Sequence, residues 1–335
     1  MEARALRPIP LTLVLCWLAL SIAACRRSTL PVELSDKDYW ALIESISEPG
    51  GTFTLSDNLV SNEPGVAENV RKLSGSGGVY IGVGPEQNFS YIAELRPTMA
   101  FVLDIRRENL TLHLLYKALF TLSSDRADFV SRLFSRHRPD GLGSRSSAQE
   151  IFTRYAGVPP SPGLLSSNAA LVRDLLLKTH GFTLSETDLA WIDRVFKAFY
   201  TDGPEIQFWE SDVGALNPSY HQLMTARDAF GLTRSFLASE ADFTFVKELQ
   251  SRNMIVPVVG DFGGPRALQA IGDYVRQRGD AVHAFYGSNV GIYLTNKQTQ
   301  AFCRSLAALP AGRNAWFIER DGVRLLSSKL KACPR

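Results

Sequence analysis

Short unbroken apolar runs and longer stretches with helical spacing alternate along this chain. Val79-Tyr80-Ile81-Gly82-Val83 and Ala100-Phe101-Val102-Leu103-Asp104 read as strands buried on both faces, closed by glycine or an acid. Gln87 to Leu95 lies between them, has the length of a short helix and stops before Pro97. Strand, glycine turn, helix and strand make a compact βαβ unit. The pattern returns near the C-terminus. Ile255-Val256-Pro257-Val258-Val259 and residues 281–286 read as strands, and the helix between them carries Ala267, Leu268, Ile271, Tyr274 and Val275 before ending at Gly279. Asp321-Gly322, set between Ala315-Trp316-Phe317-Ile318 and residues 323–326, predicts a hairpin.

Between these ends the spacing is helical throughout. Leu110, Leu114, Leu115, Ala118 and Leu122 share a face, as do Leu171, Leu175 and Leu176, and later Leu189, Ile192, Val195, Phe196 and Phe199. Ser185-Glu186-Thr187-Asp188 opens the last of these with a capping pattern. A further helix starts at Ser35-Asp36-Lys37-Asp38 and stops before Pro49-Gly50-Gly51. A helical block of this length is too long for a plain connection. The economical organisation is one sheet assembled from residues 36–110 and 251–335, with residues 111–250 as a helical insertion; two unrelated domains are the alternative.

The N-terminus changes the picture. Arg4 and Arg7 precede a mostly apolar run over residues 9–24 that ends Leu20-Ser21-Ile22-Ala23-Ala24-Cys25. A charged start, an apolar centre and small residues before a break are the parts of a secretory signal. The Ile-Ala-Ala-Cys ending resembles the bacterial lipobox, which implies a leader over 1–25, lipid on Cys25, a tether over 26–35 and a place in the cell envelope facing away from the cytoplasm. An uncleaved anchor helix is the alternative, although the run is short for a membrane span. Of the four cysteines, Cys303 and Cys333 remain. In an oxidising compartment they would form a disulfide; two separate buried thiols are the other possibility.

Composition excludes little beyond disorder: 45% of the 335 residues are hydrophobic and 21% charged. A net charge of +2 lacks the basic excess of a nucleic-acid binder. The five histidines, His113, His137, His180, His221 and His283, are dispersed, and no metal site is expected. No Gly-x-Ser-x-Gly is present, so hydrolase chemistry has no specific support. A small-molecule ligand is the expected partner, with the membrane reached through the lipid; nothing indicates a protein partner.

Gly82-Val83-Gly84-Pro85-Glu86-Gln87-Asn88 joins the first strand to its helix, where glycine admits a ligand to the backbone and the helix start offers free amides. Asp104 follows Gly84 by 20 residues, at the end of the next strand, where an acid can accept ribose hydroxyls. These segments resemble the class I S-adenosylmethionine-dependent methyltransferases. Residues 79–85 are similar to their first motif, Leu103-Asp104 to their ribose-binding acid, and Val259-Gly260-Asp261-Phe262 to the motif that holds adenine. Ala284-Phe285-Tyr286-Gly287-Ser288-Asn289-Val290 stands where that family faces the reacting methyl group. The chain departs from the pattern at Tyr80, where the family usually has an acid, and at Glu86, in the third glycine position.

The resemblance implies an α/β fold with a doubly wound, mostly parallel, Rossmann-like sheet of methyltransferase type, interrupted by the helical insertion. It implies S-adenosylmethionine as cofactor, held by Gly82, Gly84, Asn88, Asp104, Asp261 and Phe262. Asn289 would orient the acceptor, and Tyr286 would cover the sulfonium through its ring face. Ser288, Asn62 and Glu63 would meet the substrate, the last two from a polar run over residues 56–63 that could act as a lid. Methyl transfer to an acceptor is the implied activity; a non-catalytic ligand-binding lipoprotein that keeps the fold is the alternative.

Overall fold

A computed structural model describes residues 28–53, 58–208 and 217–334. The segment expected to be a leader and Cys25, the expected lipid site, fall outside these residues, as do Ser56 and Asp57 of the expected lid. Helix α1 (Asp36–Ile46) and α2 (Val66–Lys72) precede β1 (Val79–Gly82), α3 (Gln87–Leu95) and β2 (Met99–Asp104). The helical block follows as α4 (Arg107–Leu122), α5 (Arg126–Phe134), α6 (Ala148–Ala156), α7 (Pro162–Asp174), α8 (Glu186–Asp202), α9 (Tyr220–Thr225) and α10 (Glu240–Ser251). The chain then returns to β3 (Ile255–Val259), α11 (Ala267–Gln277), β4 (Val282–Ser288), α12 (Asn296–Ala308), β5 (Ala311–Glu319), β6 (Gly322–Leu325) and α13 (Leu326–Lys331).

Local chemistry sets the boundaries. The Ser35 hydroxyl accepts the Asp38 amide at the start of α1, and Ser185 with Asp188 forms a reciprocal capping box on α8. Arg96 ends α3 in the left-handed region, at φ +46°, ahead of Pro97. The expected face at 171–176 is only partly realised. Leu171 is exposed, while Val172 and Leu176, four residues apart on one face, are buried, and α7 runs into a π-helical turn over Leu175–Thr179.

The two expected strand pairs join in one six-stranded sheet of order β3-β2-β1-β4-β5-β6. Strands β1 to β5 are parallel, and β6 turns back antiparallel on β5 as the hairpin signal predicts. The hairpin's first arm is longer than its sequence signal: β5 begins at Ala311 and also pairs with β4. Every residue of β1, β2 and β3 is buried, so both faces of this part of the sheet are covered. Pro257 is tolerated because β3 is the edge strand and pairs only with β2. Phe89 of α3 seats the helical block on the sheet, with His113, Tyr116, Phe120 and Phe236 edge-on around it at 5.2–5.5 Å. Cys303 and Cys333 are disulfide-bonded and tie α12 to the chain after α13. Among the described residues no helix is long and apolar enough to cross a membrane.

Strand order reverses between β1 and β4. From β1 the chain steps outward to β2 and β3, then returns to β4 on the other side. The carboxyl ends of the central strands therefore diverge around a crevice, the place where open parallel sheets bind ligands.

Candidate functional site

The loop from β1 to α3 is built from inside. A Cβ at Gly82 would meet Asn88 Oδ1 at 1.9 Å, so only glycine admits that side chain. Asn88 accepts the Tyr80 hydroxyl at 2.9 Å and donates to the carbonyls of Val83, Gly84 and Pro85 at 2.8–3.0 Å. His113 of α4 contacts the Gly84 carbonyl at 2.9 Å, and a carbonyl only accepts, so Nε2 carries the proton. Burial pulls that imidazole down to about 4, which keeps it neutral. Gly84 itself sits at φ +77° and faces the crevice. The expected cofactor contacts of Gly82 and Asn88 are thus corrected. Neither lines the cavity, because Asn88 turns back to hold the loop and Gly82 lies beneath it. Tyr80, standing where an acid was the family pattern, belongs to the same support.

Four strand ends and one preceding loop enclose a cavity of about 220 Å³. Gly84 follows β1, Asp104 closes β2, Asp261 and Phe262 follow β3, and Ser288 and Asn289 close β4. Asn62 and Glu63 reach the same cavity from the loop before α2. Tyr286 does not. Its ring is fully buried against Tyr91 at 4.8 Å and its hydroxyl accepts Gln87 Nε2 at 3.1 Å, so the expected ring-face contact with a cation is withdrawn. Gln87, which the sequence did not single out, takes a place in the wall beside Gly84.

The acids of the cavity differ in what they already hold. Asp104 Oδ1 accepts the Arg106 amide at 2.9 Å and Nε at 3.2 Å, and Oδ2 accepts Nη2 at 3.3 Å, in a pair that is nearly buried. A carboxylate has about four lone-pair sites, and three are taken, so one hydroxyl can still be accepted, on Oδ2. Asp261 binds the Gly263 amide through Oδ1 and Gln298 Nε2 through Oδ2. Glu63 is 2% exposed; its Oε1 accepts the Ser288 hydroxyl, and Oε2 has no hydrogen-bond partner. Desolvation raises its pKa against the Ser288 and Tyr286 hydroxyls and Arg320, which favour the ionised form. Ser288 presents its hydroxyl from a left-handed backbone, φ +48°, uncommon for a residue with a side chain.

The head of α11, beside the cavity, is occupied by one of the chain's own carboxylates, whereas the buried Glu86 carboxyl at the head of α3 makes no cap bond there. Glu48 accepts the amides of Arg266 and Ala267 at the head of α11 and that of Asp261. Glu86, at the head of α3, is fully buried and accepts the Ser61 amide; burial pushes it up to about 7. These are the places where a phosphate would sit. Above them the rim is apolar: Phe53 meets Tyr293 edge-on at 5.0 Å, with Val290 and Leu294 on the same wall. Among the described residues no group of three His, Cys, Asp or Glu side chains could hold a metal ion.

Sequence reasoning missed Gln87, Glu48 and Gln298 as residues that shape the cavity, and Arg106, whose default reading was a solvated basic residue, is nearly buried against Asp104. Glu86 was visible as a departure beside a recognised motif, and Gln298 as the end of the Thr295-Asn296-Lys297-Gln298 capping pattern; Glu48 carries no motif signal. No curated protein matches the chain. A family model described as a domain of unknown function, DUF7790, matches residues 58–141 and 185–319, which include all four strand ends of the cavity. The chain therefore belongs to the DUF7790 family.

Proposed function

We propose that the cavity binds S-adenosylmethionine and that the chain is a Rossmann-like, methyltransferase-type protein acting on a small-molecule acceptor. The observation that carries this reading is the meeting of Gly84, Asp104, Asp261 and Asn289 at the carboxyl ends of successive parallel strands, around the point where strand order reverses. The donor set suits the ligand's parts. Asp104 offers its remaining acceptor site to a ribose hydroxyl, and Asp261 with Phe262 offers an acid and an apolar edge to adenine. The Glu48 carboxylate at the head of α11 opposes a pyrophosphate and suits a nucleoside that carries positive charge.

When bound, the sulfonium supplies an already activated methyl group. The chain's own task is then alignment and exclusion of water: Asn289 and Ser288 orient the acceptor, and the apolar rim covers it. A non-catalytic binder is the second reading, favoured by the Asp104–Arg106 pair, which already engages the acid that would take the ribose. The envelope location and lipid anchor are part of the same proposal, supported by Ile22-Ala23-Ala24-Cys25 and by the Cys303–Cys333 bond, which suits an oxidising compartment.

Asp104→Asn is the informative variant, because it removes the charge while keeping the size and an acceptor beside the nearly buried Arg106 guanidinium. Removing the charge weakens a hydrogen bond worth about 1.5–3 kcal/mol, so S-adenosylmethionine affinity measured by calorimetry should fall at least tenfold. Equal affinity in variant and wild type, or no heat from the wild type at millimolar ligand, would overturn the reading.

A further inference from the structure

The floor and the mouth of the cavity have opposite chemistry. On the floor, two buried acceptors have no hydrogen-bond partner: Glu63 Oε2 and Gln87 Oε1, on side chains 2% and 5% exposed. One polar chain links them, since Gln87 Nε2 donates to the Tyr286 hydroxyl, Tyr286 lies against the Glu63 carboxylate, and Ser288 donates to Glu63 Oε1. A buried acceptor left unmatched costs about 1–3 kcal/mol, more when charged, and a donor bound in the cavity beside these two would recover that cost. At the mouth, the segment after β4 exposes apolar surface: Ile292 is 73% and Tyr293 45% exposed, beside Phe53, Val290 and Leu294. An exposed cluster of this kind marks an interaction site when it borders a cavity.

We infer that the cavity takes an amphipathic amine, its ammonium donating to Glu63 Oε2 and Gln87 Oε1 while its apolar part lies against Tyr293 and Phe53. An ammonium has three donors and no acceptor, which matches a floor that offers acceptors. A carboxylic acid would add negative charge beside Glu63, and an alcohol brings one donor for two empty acceptors. The charge-assisted bond to Glu63 supplies selectivity for amine over alcohol, because hydrogen bonds to charged groups are about twice as strong as neutral ones. The apolar contact with the rim supplies affinity. The inference rests on the cofactor reading only in making this amine the methyl acceptor; recognition of the amine does not require it.

The probe is phenethylamine against 2-phenylethanol, which replaces the ammonium by a hydroxyl on the same apolar frame. Calorimetric titration of the wild type should show the amine binding at least tenfold more tightly than the alcohol. Glu63→Gln should bring the two within threefold, and Tyr293→Ser should weaken both by a similar factor while keeping their ratio. The Gln variant preserves shape and buries no charge, and its thermal unfolding verifies the fold; should it not fold, Gln87→Met, which removes the second acceptor, must lower the amine-to-alcohol ratio in its place. Equal binding of the two probes to the wild type, or an unchanged ratio in Glu63→Gln, would overturn the inference. Titration of S-adenosylmethionine with Asp104→Asn separates the two claims: loss there with no amine preference leaves the cofactor reading standing alone. Amine preference with no nucleoside binding leaves the amine site standing alone.

Discussion

Glu86 shows how one side chain can carry both a structural role and a pH response. Its carboxyl has lost its water and gains one backbone amide, so its folded pKa of about 7 lies above the unfolded value of 4.5. A raised carboxyl pKa contributes stability that is fully present below 4.5 and is lost as pH rises through 7. Glu86→Gln keeps an acceptor for Ser61 and removes the ionisation. Urea unfolding from pH 4 to 8.5 should therefore show the variant gaining on the wild type by up to about 3 kcal/mol, all of it between the two pKa values. A difference independent of pH would refute this assignment. At this scale the sequence was legible where position alone decides. Asp104, Asp261 and Asn289 stand at or just beyond strand ends, and strand ends open on the cavity. It failed where side-chain direction decides. Gln87 and Asn88 are neighbours on one helix, about 100° apart around its axis. One faces the cavity and the other faces the loop, and no local pattern distinguishes them.

The elements were easier to read than the residues, because burial on two faces writes itself into the chain as an unbroken apolar run. All four expected strands appear within two residues of their expected limits, and α3 coincides with Gln87–Leu95. Elements set by tertiary context were not legible. The π turn after α7 has no sequence rule, and the extension of β5 back to Ala311 depends on pairing with β4 and not on its exposed, polar start. The cysteine pair was left open by spacing alone and is closed by α12 and α13 lying side by side. Its loop of 30 residues lies between the lengths for which chain entropy predicts about 3 and 4.7 kcal/mol. Cys303→Ser should lower unfolding stability by about 3 kcal/mol without reductant and by far less with dithiothreitol, which brings the wild type down to the variant. Equal stability of both proteins without reductant would show that the bond does not constrain the unfolded chain.

The whole molecule joins its two ends across the helical block. Central strand β1 pairs with β2 about 20 residues later, but with β4 only about 200 residues later, and β2 waits about 155 residues for β3. Contacts of such separation come late and slowly, since loop closure must precede the gain from burial. A chain emerging from the ribosome therefore carries a βαβ unit with both outer edges open, fully apolar and without their partners, until the last quarter is made. Open apolar edges invite pairing with other chains. A fragment ending at residue 250 should accumulate as aggregate while the full chain remains monomeric in sedimentation; a monomeric fragment with cooperative unfolding would contradict this. The strand order that opens the cavity thus also sets a period of vulnerability during synthesis, in which holding factors have the whole helical block as the time available to act.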